Sequence, residues 1–148
     1  MPTYTQILYQ IVFTTKNTEK VLIKEQRERL FRYIWGIIKN HKSVLYQING
    51  VEDHIHIATH IHPSVSLSNF VKDIKIASSL WINEENIFPD FTSWQRGYGA
   101  FTYSIEAKEN LVNYIKNQEE HHKQKDFRAE YKSILEEFDV EFDERYLL

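Results

Sequence analysis

Two strand-like runs with almost nothing between them restrict this chain more than any other feature. SVLYQING (43–50) and DHIHIATHI (53–61) both alternate polar with apolar residues, and Asn49-Gly50 marks a turn after the first. The spacing predicts a hairpin, and therefore an antiparallel sheet with two unlike faces. Ile55, Ile57 and Ile61 take the odd positions and read as core. His54, His56, His60 and His62 take the even positions, so they share the opposite face.

The flanking segments fit one arrangement around that hairpin. TYTQILYQIVFTT (3–15) alternates like a strand, and EQRERLFRYIWGIIKNH (25–41) repeats its apolar residues with helical spacing. Pro63 closes the hairpin's second strand. SLSNFVKDIKIASSLWINEE (66–85) reads as a helix capped by Ser66 or Ser68, with Leu67, Phe70, Val71, Ile74, Ala77 and Trp81 on one side. A loop with four apolar anchors (86–97) leads to the strand YGAFTYS (98–104). A helix follows over 106–122, with Ser104 as its expected N-cap, and a shorter one over 127–138. The order βαββαβ is that of the ferredoxin-like or RRM-like fold, an α+β class with an antiparallel sheet and helices on one face, here with extra C-terminal helices. One domain over 1–148 is expected, with a tail from about 137.

Composition narrows the chemistry. The chain has no cysteine, so disulfides, thiolate metal sites and cysteine nucleophiles are excluded, and a metal must be held by histidine, carboxylate, amide or water. No stretch approaches the roughly 20 apolar residues of a membrane span, and MPTYTQILYQIVFTT lacks the basic start of a signal peptide. A net charge of −3 argues against a protein that coats nucleic acid indiscriminately. Acidic EEFDVEFDE (136–144) can nevertheless mask local basic patches such as KQKDFRAEYK (123–132) and the Lys72/Lys75 pair.

His54 and His56 bracket the core residue Ile55, so both imidazoles should project from the open sheet face and could converge on one cation. His60 and His62 continue the face toward the end of the strand. NYIKNQEEHH places Tyr114 and Gln118 four apart on one helix face, with His121 and His122 at the end, where compensation of the helix dipole is their ordinary role.

Together these pieces resemble the single-tyrosine HUH transposases, the short enzymes of bacterial insertion sequences and their REP-associated relatives. DHIHI is similar to that family's His-hydrophobic-His strand, SLSNFVKDIKIASSLWI to its following helix, WQRGYGAFTYS to its aromatic-glycine strand entry, and LVNYIKNQEEHH to its catalytic helix. The resemblance runs over about residues 4 to 146. It implies that His54, His56 and Gln118 bind a divalent cation, Mg²⁺ or Mn²⁺, with nitrogen ligands better suited to Mn²⁺. It implies that Tyr114 attacks the scissile phosphate and forms a 5′-phosphotyrosine link. The implied substrate is single-stranded DNA carrying hairpins near element ends. The implied assembly is a homodimer in which Tyr114 and Gln118 serve the partner's histidines, working in the bacterial cytoplasm on nucleoid DNA and away from membranes. Lys72, Lys75, Arg96 and Lys116 are candidate DNA contacts by position, and the base that deprotonates Tyr114 stays unnamed. His60 and His62 are imidazoles beyond the family pair.

Two other readings use the same residues. A non-catalytic module would bind single strands through sheet aromatics, but Tyr4 and Tyr9 fall on opposite faces of the first strand and YGAFTYS does not match the RNA-binding strand pattern. A metal-dependent nuclease would activate water at His54 and His56 and would need no Tyr114. A replication or conjugation nickase shares the tyrosine chemistry but usually carries larger accessory domains.

Overall fold

A computed structural model describes residues 1–147; Leu148, the last residue of the expected domain, lies outside them. In chain order the described elements are β1 (Leu8–Thr14), α1 (Lys24–Asn40), β2 (Val44–Gly50), β3 (His54–His60), α2 (Leu67–Glu85), β4 (Gly99–Tyr103), α3 (Lys108–Lys116), α4 (Gln118–His122) and α5 (Phe127–Glu137). The four strands form one antiparallel sheet in the order β2-β3-β1-β4. The expected α+β fold is therefore present, with β3 and β1 in the centre.

The alternation of β3 divides the interior in two. Ile55 and Ile57 pack with Ile11 and Phe13 of β1 against Leu30, Ile34 and Ile38 of α1 and Phe70, Ile74 and Ile82 of α2, forming the larger core. The loop anchors Ile87, Phe88, Phe91 and Trp94 join it, as their apolar character requires. Ser66 caps α2 by accepting from the Asn69 N–H at 3.1 Å.

The other sheet face is not open. Val12 and Phe101 pack there with Phe127, Ile134 and Leu135 of α5, while Leu8 and Ala58 pack with Leu111 and Ile115 of α3. The C-terminal helices thus roof the face on which His54 and His56 stand, and both imidazoles are fully buried rather than projecting into solvent.

Four local expectations need correcting. β1 begins at Leu8, so Tyr4 lies outside the sheet. Asn49 and Gly50 belong to β2, paired with His56 and Ile55, and the turn falls at residues 51–53. That turn is tied down from outside the hairpin: Glu52 O accepts from Val21 N and Leu22 N, and Asp53 O accepts from Thr15 N. Ser104 makes no side-chain cap; a 3₁₀ turn at Ile105–Ala107 precedes α3. Finally, the helix expected over 106–122 breaks at Asn117. The Asn49 side-chain amide donates to the carbonyls of Ile115 and Lys116, both at 3.0 Å. Those carbonyls would otherwise carry the helical ladder onward.

Candidate active site

β3 brings His54 and His56 to the roofed face two residues apart, and each ring is fixed through Nδ1. His54 Nδ1 donates to Asp53 Oδ1 at 2.7 Å. His56 Nδ1 donates to Oε1 of Gln10 at 2.7 Å, and the Gln10 amide in turn donates to the Tyr103 hydroxyl at 2.7 Å. A histidine whose Nδ1–H is engaged presents Nε2 to the site, the arrangement that orients imidazole for a metal.

Both Nε2 atoms face Glu130, which α5 inserts from above and which is only 5% exposed. Oε1 of Glu130 lies 3.3 Å from His54 Nε2, 3.1 Å from His56 Nε2 and 2.9 Å from His122 Nε2. Oε2 accepts hydrogen bonds from the Tyr114 hydroxyl and, at 3.1 Å, from the Gln118 amide. Gln118 Oε1 also stands 3.3 Å from His54 Nε2. Tyr114, Gln118, His54 and His56, read as a set from the sequence, therefore meet within one chain.

The electrostatics follow from burial and this carboxylate. Burial alone would raise the carboxyl of Glu130, but hydrogen bonds from His122, His54 and His56 hold it far below the usual carboxylate range. Burial lowers His54, yet its bonds to Asp53 and Glu130 outweigh that and leave it raised. His56 has no such surplus, and burial takes it down to about 4, so it is neutral near pH 7. Burial and the neighbouring Glu130 charge push the Tyr114 phenol well above its ordinary value.

The donor set suits a divalent cation. One ligand atom from each of His54, His122 and Glu130 lies within 4.8 Å of the others. His56 adds a buried Nε2 at 3.1 Å from the same carboxylate oxygen. A cleft of about 530 Å³ opens beside Tyr114, lined by Gln10, Tyr103, His121 and Lys125 among others, and gives access from outside.

Other expected site residues lie elsewhere. His60 Nδ1 accepts from the Ile7 N–H at 3.2 Å, and His62 Nδ1 bonds the Ser64 hydroxyl at 2.7 Å, so neither reaches the cluster. Lys75, a candidate DNA contact, donates to the carbonyls of Gln95 and Gly97 at 2.6 and 2.7 Å; it braces the loop instead of standing free. Lys72, Arg96 and Lys116 are exposed, and none of the three has an ion pair among the described residues. The His121 ring lies tilted against the Tyr114 ring, with centroids 4.7 Å apart.

Glu130 was missed from the sequence, although a signal exists. Phe127, Glu130 and Ile134 fall on one stripe of α5, so a carboxylate interrupts an apolar helix face. His122 carried a similar signal: 114, 118 and 122 are spaced by four.

The model of the family described as "Transposase IS200 like" matches residues 3–118. A crystal structure of a candidate transposase from Deinococcus radiodurans R1 is 22% identical, with a TM-score of 0.62, covering 80% of this chain and 95% of that one. A REP-associated tyrosine transposase bound to a REP hairpin is 14% identical, also with a TM-score of 0.62, covering 82% of this chain and 74% of that one. Both likenesses are of fold. No curated protein matches this chain significantly.

Proposed function

Since the chain belongs to the IS200-like transposase family, we propose that it cleaves and rejoins single-stranded DNA at hairpin-bearing element ends through a 5′-phosphotyrosine on Tyr114. The observation that carries this is that the Tyr114 hydroxyl and the buried His54 and His56 converge on the two oxygens of Glu130 in one chain. A nucleic-acid-binding module has no use for a half-buried phenol that shares one buried carboxylate with two imidazoles, and a water-activating nuclease has no use for the phenol.

His54, His56 and Gln118 would hold the divalent cation, Mg²⁺ or Mn²⁺. When bound, it supplies polarisation of the scissile phosphate and neutralises charge developing there. Tyr114 Oη bonds to phosphorus as the bond to the 3′ oxygen breaks; the phenol gives up its proton and the released 3′ oxygen takes one. Attack by a 3′ hydroxyl on the phosphotyrosine reverses the step, so strand transfer needs no external energy source. Gln10 and Asp53 keep the imidazoles turned for this work. Lys72, Arg96 and Lys116 would hold backbone phosphates, and exposed bases would stack on aromatics near the cleft. A homodimer belongs to the same proposal, as does action in the cytoplasm on nucleoid DNA; the expected exchange of Tyr114 and Gln118 between protomers is corrected, because both stand against His54 and Glu130 of their own chain. Among the described residues no helix is long and apolar enough to cross a membrane.

The test is incubation with Mn²⁺ and labelled single-stranded DNA from the regions flanking its own gene, beside Tyr114→Phe and His56→Ala. A denaturation-resistant protein–DNA band that both substitutions abolish is expected. Cleavage without an adduct, unchanged in Tyr114→Phe, would instead make this a metallonuclease.

A further inference from the structure

We propose that His122 and Glu130 are metal ligands in their own right, Glu130 binding the cation through Oε1 while Oε2 holds the Tyr114 hydroxyl. The inference rests on the metal-assisted reading above and changes its ligand set, adding an imidazole from α4 and a carboxylate from α5. Glu130 and His122 both lie beyond residues 3–118, the segment the family model matches.

Three imidazole Nε2 atoms surround one oxygen of Glu130 at 2.9–3.3 Å. One ligand atom from each of His54, His122 and Glu130 lies within 4.8 Å of the others. Three ring nitrogens and a carboxylate oxygen, brought from β3, α4 and α5 to one buried point, form the donor set that a divalent cation takes. The spacing is right for it: neighbouring ligands on an octahedral ion with bonds of ~2.1 Å stand ~3.0 Å apart.

The two oxygens of Glu130 also divide cleanly. Among the described residues Oε1 bonds imidazoles, and Oε2 bonds the Tyr114 hydroxyl and the Gln118 amide. One side chain then ties the nucleophile to the ion, so binding the cation also sets where the phenol stands. Three nitrogens and a carboxylate make a set better suited to Mn²⁺ or another transition metal than to Mg²⁺, which prefers oxygen.

The test uses the full chain and Mn²⁺ alone, without DNA. Electron spin-echo modulation of bound Mn²⁺ counts coordinated imidazoles. Three are expected in the unaltered protein, falling to two in His122→Ala. Calorimetry should show Mn²⁺ affinity falling at least tenfold in Glu130→Gln, with partial recovery in Glu130→Asp. A count of two that His122→Ala leaves unchanged would overturn the inference and leave the His54–His56 site standing. Unchanged or tighter Mn²⁺ binding by folded Glu130→Gln would overturn it as well, tighter binding meaning that the carboxylate blocks the ion. Failure of the unaltered protein to bind Mn²⁺, or binding indifferent to His56→Ala, would remove the underlying metal-assisted reading itself. The imidazole count on the unaltered protein decides the matter even where a variant does not fold.

Discussion

Gln10 shows how one side chain governs another's chemistry. Its carbonyl holds the Nδ1–H of His56 and so fixes which nitrogen looks into the site. Gln10→Ala should weaken Mn²⁺ binding by about 10- to 100-fold, the usual effect of losing a partner behind a ligating histidine, while single-strand binding without metal stays unchanged; paired calorimetry and fluorescence anisotropy would show the split. The same histidine predicts an acid-sensitive fold. His56 is held down to about 4 by burial, so between that value and the unfolded value near 6.5 the unfolded chain binds the extra proton. Its contribution is therefore complete above pH 6.5 and lost as pH falls toward 4, on the order of 3 kcal/mol. His54, raised in the folded state, has the opposite sense: its contribution is complete below 6.5 and fades as pH rises. Glu130 contributes above the carboxylate range and is lost only in stronger acid. Urea unfolding of the chelator-treated protein at pH 6.5 and 4.5 should show the fall, and His56→Gln should flatten it.

At the scale of elements, the site depends on where strands and helices stop. The hairpin β2–β3 closes so tightly that a Cβ on Gly50 would lie 2.4 Å from the His54 carbonyl oxygen. Arg27 of α1 also donates to the Gly50 carbonyl at 3.1 Å. Gly50→Ala should therefore cost about 1–3 kcal/mol in thermal or urea unfolding and should displace His54, which begins β3. The break between α3 and α4 is set from the sheet by Asn49. Asn49→Ala should let the helix run through Asn117, turning Gln118 and His122 away from Glu130. The expected signature is a gain in helical circular dichroism together with a loss of adduct formation.

Across the whole molecule, charge and roofing set how DNA can approach. The net charge is −3, and Lys75 is committed to the Gln95–Gly97 loop. Three proposed phosphate contacts are few, so affinity for single-stranded DNA should depend weakly on salt. With Lys72, Arg96 and Lys116 as the contacts, a log–log slope near −2 is expected, at roughly 0.7 per phosphate. Neutralising any one of them should lower it by about that amount, and a slope steeper than about −5 would require a basic surface other than this one.

The sequence by itself determined the βαββαβ order, the core role of Ile55 and Ile57, and the pairing of His54 with His56, because these rest on periodicities of two and 3.6 that each segment carries alone. It also set Tyr114 and Gln118 apart, by helical spacing and by resemblance. The break at Asn117, the burial of the imidazoles and the entry of Glu130 were decided only by the tertiary structure. Each depends on a partner distant in the chain: Asn49 lies 66 residues before the carbonyl of Ile115 that it takes, and Glu130 lies 74 residues after His56. Local pattern says which way a side chain leaves the backbone. What stands opposite it is settled when α5 packs its apolar stripe over the sheet and carries one carboxylate in with it.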